Sequence, residues 1–347
     1  MKTFHCSHCG KMVFFENHRC LNCNHSLGFL PDTLELIALE DSKGGDGHPR
    51  QCANGQEHGV CNWLAPADDP HPLCQACRLN EVVPNLSDPR NLMRWSKLEL
   101  AKRRCLYTFL RLGLPLSAKP GSELPSLRFR FLEEAPNAPV KTGHQDGVIT
   151  VNVAEADDDE RERRRINLHE PYRTLVGHFR HESGHFYWTW LIQDSPHLAR
   201  YHELFGDETA DYDAALQTYY KQGSPTDWAA KAVTPYACSH PWEDWAETWA
   251  HYLHIVDTLE SATSFGMGVK DNVSDQARPL RIKYDSSMDF QEMLAEWTPV
   301  VCALNAINRG MGLSDLYPFV ISPPVVEKLR FIHQVVLEYG GRSKRNG

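Results

Sequence analysis

The sequence predicts an α+β protein: a small β region held by cysteines, then a mostly helical domain with a small β-sheet. Two observations support this. Residues 1–85 contain eight of the eleven cysteines and are rich in Gly, Pro and Asn, which favours short metal-stapled ribbons. Beyond residue 90, long apolar runs at helical spacing dominate. We therefore expect a ribbon region over 1–85 and a second domain over 90–347.

The first ribbon is predicted by two CxxC knuckles. Cys6 and Cys9 form one knuckle, and Cys20 and Cys23 form the other, ten residues further on. This spacing suits four thiolates that hold one Zn²⁺ across a short β-hairpin. We predict a structural zinc at these four residues.

A second, less regular cysteine set follows in the same region. It comprises Cys52, Cys61, Cys74 and Cys77, which contain only one CxxC step. His58 or His71 is therefore an alternative ligand to one of the cysteines. We predict a second structural zinc, whose binding would supply folding energy that so small a segment cannot obtain from its own core.

The second domain begins with a helix and two strands. Apolar residues at helical spacing predict a helix over 91–112, and alternation at period two predicts strands over 127–131 and 147–153. We predict that the second strand forms or neighbours the edge along which an extended substrate pairs. The acidic and basic residues of 157–165 are typical of a solvated mixed-charge segment.

The remaining elements are predicted to be helices. The apolar run that follows Pro171 lacks a breaker before Ser195-Pro196, so it predicts one long helix. Further helices are expected over 208–220, from Pro241 onward, over 288–308 and over 323–339. A break is expected at 223–225, and the polar, basic ending at 340–347 is expected to fray.

The helix after Pro171 contains the motif HExxH. His181 and His185 stand four residues apart, so on a helix both imidazoles reach one Zn²⁺ from the same face. Glu182 then stands beside the metal, where it accepts a proton from a zinc-bound water. The simpler alternative is an amphipathic helix whose histidines are only hydrogen-bonded.

A catalytic zinc normally takes three protein ligands and leaves one position open. Glu243 and Glu247 share one face of the helix that begins at Pro241, and we predict Glu243 as the third ligand. Glu247, one turn on, is then placed to accept a hydrogen bond from the far nitrogen of His181. An ordinary acidic first turn would also explain this pair. Competing ligands are His240, Glu247, His251 and His254, whereas His178 has a poorer chelating step from His181.

These residues resemble the gluzincin metallopeptidases, in which HExxH on one helix is completed by a glutamate on a later helix. The pattern Glu243-x-x-Ala246-Glu247 is similar to the compact branch that includes anthrax lethal factor. In that branch a tyrosine seven residues before the glutamate donates a hydrogen bond to the oxyanion. The resemblance implies this role for Tyr236 and a zincin-like fold for the second domain; a structural tyrosine is the alternative.

The whole chain resembles the bacterial family of zinc-binding metallopeptidases that begin with a zinc-ribbon region. The resemblance is carried by the HExxH helix and by the stretches at 6–10, 61–63, 101–104, 142–144, 155–158 and 240–254. It implies a zinc-dependent hydrolase of peptide bonds with a peptide or protein substrate. The alternative is a zinc-ribbon adaptor that binds nucleic acid or protein and whose HExxH domain is not catalytic.

The composition of the chain indicates its cellular compartment and the kinds of partner it can bind. The net charge of −9 disfavours wholesale attraction to nucleic acid or anionic membranes. Neither a signal peptide nor a long uninterrupted apolar run is evident, so we expect a cytoplasmic protein without a membrane partner. In a reducing cytoplasm the paired thiols bind metal, and Cys105, Cys238 and Cys302 are expected to be small buried residues.

Overall fold

The computed structural model describes residues 1–39, 48–118, 121–135, 138–167, 170, 172–269, 278–280 and 289–343. The predicted α+β class is confirmed, with small sheets and a mostly helical second part. Contacts divide the chain into two compact units. The first comprises Met1–Arg111, Pro115–His169 and Thr174–Phe179, and the second comprises Leu112–Leu114, Glu170–Arg173 and Arg180–Gly347.

The helices are α1 Ala53–His58, α2 Gln75–Arg78, α3 Asn91–Arg111, α4 Asp158–Asn167, α5 Leu175–Leu191, α6 Leu198–Phe205, α7 Tyr212–Gln222, α8 Pro241–Ser264, α9 Phe290–Gly310 and α10 Pro323–Ser343. The strands are β1 Phe4–His5, β2 Met12–Val13, β3 Leu27–Leu30, β4 Glu35–Ala38, β5 Arg50–Gln51, β6 Leu64–Ala65, β7 Asn80–Val82, β8 Arg128–Leu132, β9 Gly143–Gln145, β10 Val148–Asn152, β11 Gly268–Val269 and β12 Arg278–Pro279. Among the described residues, every helix is too short or too polar to span a membrane.

The N-terminal hairpins of the first unit share an aromatic core with α3. β1 pairs with β2, β3 with β4, and β5 with β6, all antiparallel. Phe29 packs against Phe15 and Trp63 with ring centroids 5.0 and 4.9 Å away, and Tyr107 of α3 lies 5.8 Å from Phe15. These short strands therefore depend on aromatic burial as well as on their cysteines.

A four-stranded sheet completes the first unit, in the order β7-β8-β10-β9. The alternation predicted for 127–131 is present, because Phe129 and Phe131 are buried while Arg128 and Arg130 are exposed. β10 is an inner strand that neighbours the edge strand β9, and pairing with a substrate there remains a prediction. β7, which lies within the predicted ribbon region, pairs in parallel with β8. The domain boundary at 85–90 also remains a prediction.

Residues 61–63 and 101–104, which carry part of the family resemblance, contribute to a buried polar network in the first unit. Arg103 donates to Asn62 Oδ1 at 2.7 Å, and Asn62 donates to the carbonyl oxygen of Phe15 at 2.5 Å. The fully buried Lys102 ammonium lies 2.9 Å from Glu99 Oε1 and 3.0 Å from the carbonyl oxygen of Ala76. These stretches therefore connect both ribbons to α3.

The mixed-charge stretch forms α4, in which no residue is buried. Arg164 donates to Glu160 Oε1 at 2.7 Å and to the buried Glu155 at 3.2 Å. Just before the helix, Asp157 accepts from Arg94 of α3 at 3.0 Å. This part of the first unit is therefore held by ion pairs.

The second unit is built around α8, which packs against α6, α9 and α10. Trp245, Trp249, Tyr252 and Leu253 are buried along α8. The ammonium of Lys328, on α10, lies 2.5 Å from the buried carboxylate of Asp244 in the first turn of α8. Aromatic packing and this ion pair hold the C-terminal helix on the centre of the unit.

The observed helices differ from the predicted ones at several ends. α5 begins at Leu175, and Pro171 lies outside the described residues. α7 begins at Tyr212, later than the predicted 208, and α9 begins at Phe290, since position 288 also lies outside the described residues. α10 extends to Ser343, and residues 344–347 of the predicted frayed end are not described.

Candidate metal centre and active site

The HExxH motif lies in the middle of α5, as predicted. The Thr174 hydroxyl accepts from the backbone amide of Gly177 at 3.0 Å, so Thr174 satisfies a free amide of the first turn. α8 begins as the sequence indicates, with Pro241 in its first turn. His240 caps it by accepting from the Trp242 amide at 3.1 Å.

α5 and α8 approach each other closely at Gly184. A Cβ atom at this position would lie only 2.8 Å from Ala246 Cα, so the contact requires glycine. Trp245 Nε1 donates to the Gly184 carbonyl oxygen at 2.8 Å, and Trp249 Nε1 donates to Ser183 Oγ at 3.1 Å. Two indole hydrogen bonds and a small-residue contact therefore fix α8 on the HExxH helix.

This helix contact brings the three predicted metal ligands together. Glu243 Oε2 lies 3.0 Å from His181 Nε2 and 3.5 Å from His185 Nε2. A tetrahedral zinc with bonds of roughly 2.0–2.1 Å has ligand atoms about 3.3 Å apart, so these distances fit. Glu243 is 1% exposed, and its Oε2 atom faces the two histidine nitrogens. A buried carboxylate oxygen in this position is suited to a metal.

Glu247 lies beside the ring nitrogen of His181 that faces away from Glu243, as predicted. Its Oε1 atom is 2.6 Å from His181 Nδ1, and its Oε2 atom accepts from Thr234 Oγ1 at 2.7 Å. Burial lowers the pKa of His181, but hydrogen bonds to Glu243 and Glu247 outweigh it and raise that pKa well above its usual value. The two carboxylates therefore favour positive charge at this point, which a metal cation also supplies.

Glu182 is buried beside the two histidines, with 7% of its surface exposed. It offers a carboxylate oxygen within 4.8 Å of the histidine nitrogens. Burial raises the pKa of Glu182, while His181 and His185 act in the opposite direction. A carboxyl group with a raised pKa is suited to accept and return a proton near neutral pH.

Tyr236 lies next to the predicted ligands, at the start of a short 3-10 turn over Tyr236–Cys238. Its ring centroid is 6.0 Å from that of His181. Burial raises the pKa of Tyr236 far above its usual range, and the charge of Glu243 adds to this. The hydroxyl therefore remains a hydrogen-bond donor, and its predicted role toward an oxyanion remains a prediction.

Two residues at the site were not predicted from the sequence. Tyr212 donates from its hydroxyl to Glu243 Oε1 at 2.6 Å, and Thr234 holds Glu247 as described above. Tyr212 precedes its partner by 31 positions and lies on another helix. Because no helical or strand period connects them, pattern analysis of one sequence contains no signal for this contact.

The competing histidines have other partners. His240 caps α8 and lies 3.1 Å, by Nε2, from the carbonyl oxygen of Ala210. His251 Nδ1 lies 2.5 Å from the Tyr317 hydroxyl, and His254 Nδ1 lies 2.5 Å from an Arg180 nitrogen. His178 Nε2 lies 3.9 Å from Glu155. These contacts favour Glu243 over the histidines as the third ligand.

Each predicted cysteine set is gathered into a cluster. Sulfur atoms lie 3.6 Å apart in the pairs Cys6–Cys23, Cys9–Cys20 and Cys61–Cys74. A tetrahedral zinc with bonds of roughly 2.3 Å to sulfur separates its ligands by about 3.8 Å, so both clusters suit zinc. Cys52 and Cys77 complete the second cluster, which excludes His58 and His71. All eleven cysteines are free thiols. Cys105 is buried as expected, but Cys238 is half-buried and Cys302 is exposed.

A histidine pair on one helix faces a carboxylate from a second helix, and two four-cysteine clusters precede both in the sequence. Together these features define a zinc-binding protein with a ribbon region and a second domain that carries a candidate metal site. The profile of a family described as "Putative zinc-binding metallo-peptidase" matches residues 91–335. A zinc-ribbon domain matches residues 3–88. The chain belongs to this metallopeptidase family, as its sequence resemblance implied.

The relatives that align with the chain over nearly their whole length include three mycobacterial proteins. Uncharacterized protein Mb2598c of Mycobacterium bovis and uncharacterized proteins MT2644 and Rv2568c of Mycobacterium tuberculosis are each 42% identical to the chain over 339 residues. The alignment covers 97% of this chain and 96% of each relative. No solved structure matches the chain.

Proposed function

We propose that the protein is a gluzincin-type zinc peptidase of the cytoplasm that hydrolyses peptide bonds in a peptide or protein substrate. The observation that carries the proposal is the convergence of Glu243 Oε2 on His181 Nε2 and His185 Nε2, at 3.0 and 3.5 Å. Glu182, buried beside these atoms, supplies the base that a purely structural zinc would not need.

In this proposal His181, His185 and Glu243 hold the catalytic zinc, and the two cysteine clusters hold structural zinc ions. Zinc, when bound, lowers the pKa of water and polarises a carbonyl group. Glu182 accepts the proton of the attacking water and delivers it to the leaving amine. Tyr236 donates a hydrogen bond to the oxygen that gains charge during the attack. Glu247, itself held by Thr234, keeps His181 in the binding orientation.

The base is tested by Glu182→Gln, which keeps the size of the side chain and removes its ability to accept the proton. We expect zinc content equal to that of wild type and hydrolysis of a quenched fluorescent peptide library reduced by about 10²–10⁴-fold. Glu203→Gln, at an exposed position of α6, is the matched control and should retain activity. Full activity of Glu182→Gln would contradict the assignment.

The third ligand is tested by Glu243→Ala. Loss of one of three ligands should release the catalytic zinc while the cysteine sites keep theirs. Elemental analysis after dialysis measures zinc per chain. If Glu243→Ala holds as much zinc as wild type, Glu243 is not a ligand.

The ribbon region is better suited to protein contact than to nucleic acid. Residues 1–85 contain six Lys and Arg against ten Asp and Glu, so this region carries net negative charge. Nucleic-acid affinity arises largely from cations that neutralise phosphates. We therefore expect the full chain to leave DNA and RNA unshifted in gels at low salt, and salt-sensitive binding would instead support the adaptor alternative.

A further inference from the structure

The tyrosine that contacts Glu243 has no role in the mechanism above, although its contact is close. Tyr212 is the first residue of α7, and its hydroxyl lies 2.6 Å from Glu243 Oε1. The other carboxylate oxygen, Oε2, faces His181 and His185. The two oxygens of one carboxylate are thus used differently: one accepts from a tyrosine, and the other is directed at the proposed zinc position.

We infer that Tyr212 is a positioning residue that restricts Glu243 to one-oxygen ligation and thereby keeps a coordination position open for water. The inference rests on the proposed function, because it takes Glu243 as a zinc ligand. A carboxylate binds metal through one oxygen or through both. If both oxygens of Glu243 bound, the second would compete for the open position that a catalytic zinc requires.

Contacts of the Tyr212 ring and of its neighbours hold Tyr212 in this position. Asp211 caps α7 by accepting from the Ala214 amide at 3.0 Å. The Tyr212 ring packs edge-on against the rings of His240 and Trp242, with centroids 5.2 and 6.0 Å away. His240 contacts the carbonyl oxygen of Ala210 at 3.1 Å. The starts of α7 and α8 are therefore joined just before Glu243.

The hydroxyl of Tyr212 donates its hydrogen bond to Glu243. A protonated phenol has one hydrogen to donate, and Glu243 takes it. Tyr212 is therefore not free to stabilise an oxyanion, and that role falls to Tyr236 under the proposed mechanism. The two tyrosines should differ in what their substitution changes.

The experiment compares zinc affinity in Tyr212→Phe, Tyr236→Phe and Tyr219→Phe, each in the full chain. Tyr219 is the matched control, because it lies on the same helix as Tyr212 and its ring packs against Tyr236 at 5.7 Å. Zinc is removed by graded chelator competition, and His185→Ala defines the zinc that remains in the cysteine sites. We expect Tyr212→Phe to lower the affinity of the catalytic site by about 10–100-fold. Tyr219→Phe should leave this affinity unchanged, whereas Tyr236→Phe, which removes a hydroxyl in contact with that of Tyr212, should lower it less than Tyr212→Phe does.

Two further measurements separate positioning from a general structural effect. The melting temperature of the chelator-treated protein should be the same in Tyr212→Phe and Tyr219→Phe. In protein loaded with Co²⁺, Tyr212→Phe should show weaker visible absorption, because a two-oxygen carboxylate raises the coordination number. Unchanged zinc affinity in Tyr212→Phe, or an equal loss in Tyr219→Phe, overturns the inference.

These readouts do not depend on hydrolysis. A fall in zinc affinity in Tyr212→Phe supports the positioning role even if wild type cleaves no peptide, which would count against the proposed function alone. Conversely, if wild type cleaves peptides but Tyr212→Phe has the same zinc affinity, the proposed function stands and the positioning role of Tyr212 is refuted.

Discussion

Gly184 sets the distance between the two helices that carry the proposed metal ligands. A methyl group there would meet the backbone of α8, since a Cβ atom would lie 2.8 Å from Ala246 Cα and 3.3 Å from its carbonyl oxygen. Backbone atoms cannot rotate away as a flexible side chain can. Any substitution must therefore separate α5 from α8 and move Glu243 away from the histidine pair.

We predict that Gly184→Ala destabilises the protein by about 1–3 kcal/mol, as overpacking commonly does, although alanine is the better helix former. It should also lower the zinc affinity of the proposed catalytic site. Chemical denaturation and chelator competition measure the two effects. Gly310→Ala is the control, because open space surrounds a Cβ atom there. Equal behaviour of the two variants would contradict the close-contact argument.

His251 gives the stability a specific dependence on pH. Burial lowers the pKa of His251 from 6.5 to about 4; Glu247 opposes this shift and Arg180 adds to it. The unfolded chain therefore binds a proton that the folded chain excludes. The stabilising effect is complete above pH 6.5 and is lost as the pH falls toward 4.

Between about pH 7.5 and 5, wild type should lose roughly 2 kcal/mol more than His251→Phe, because stability falls by about 1.36 kcal/mol for each pH unit below 6.5. Urea unfolding of both proteins at each pH measures this difference. A gap between wild type and variant that is constant with pH would show that His251 does not titrate as described.

The residues of the site were predictable where one helix carries the pattern. His181, Glu182 and His185 share a helical period, and Glu243 and Glu247 share another, so spacing alone groups them. Tyr212 and Thr234 were not predicted, because their contacts with Glu243 and Glu247 join separate elements. Likewise the purpose of glycine at 184 becomes clear only when Ala246 lies opposite it.

At the scale of elements, α10 is attached to α8 by a buried charge pair. Lys328 contacts Asp244 at 2.5 Å and the carbonyl oxygen of Lys231 at 2.7 Å. Both charged side chains are about nine-tenths buried, with 8% and 10% exposed. A buried pair contributes little compared with apolar packing, but removal of one partner leaves the other charge without compensation.

Lys328→Met should therefore lower the free energy of unfolding by about 3–5 kcal/mol. The double variant Lys328→Met with Asp244→Leu should recover part of this loss. Lys231→Met provides a control, because the Lys231 side chain is 68% exposed in its pair with Asp227. Urea denaturation followed by circular dichroism measures all three. A loss no larger than that of Lys231→Met would contradict the burial argument.

Long elements with an apolar face were predictable, and short or charged ones were not. The alternation at 127–131 and the apolar runs that became α9 and α10 identify one buried side each. The longer apolar runs of α3 and α5 also predicted helices, although α5 is buried on every side over 182–188. α4 has no apolar stripe, so its helix depends on ion pairs such as Arg164 with Glu160. β7 has three residues, and its parallel partner lies almost fifty positions away, beyond the range of local patterns.

For the whole molecule, the distribution of cysteines predicted a ribbon region, because eight cysteines lie in residues 1–85 and three lie elsewhere. Free thiols and the gathering of the eight into two clusters agree with zinc ligation. Composition could not predict that β7 would join the sheet of the following segment. That connection depends on tertiary pairing.

The two cysteine clusters predict how thiols respond to metal removal. In zinc-loaded protein the exposed Cys302 should react first with a thiol reagent. Strong chelation should then make the eight ribbon cysteines reactive as their short hairpins lose metal-derived folding energy. Spectrophotometric thiol titration before and after chelation measures this. Eight reactive thiols in the zinc-loaded protein would contradict zinc ligation at the clusters.

Trp242 gives the proposed metal centre an optical signal of its own. Its ring centroid lies 4.1 Å from that of His185, in the first turn of α8 beside the proposed ligand Glu243. A paramagnetic ion such as Cu²⁺, held by His185, would quench the emission of an indole at this range. The chain has nine tryptophans, and substitution of Trp242 alone by Phe should remove most of that quenching. Occupancy of the centre can thus be followed by fluorescence before any substrate is known.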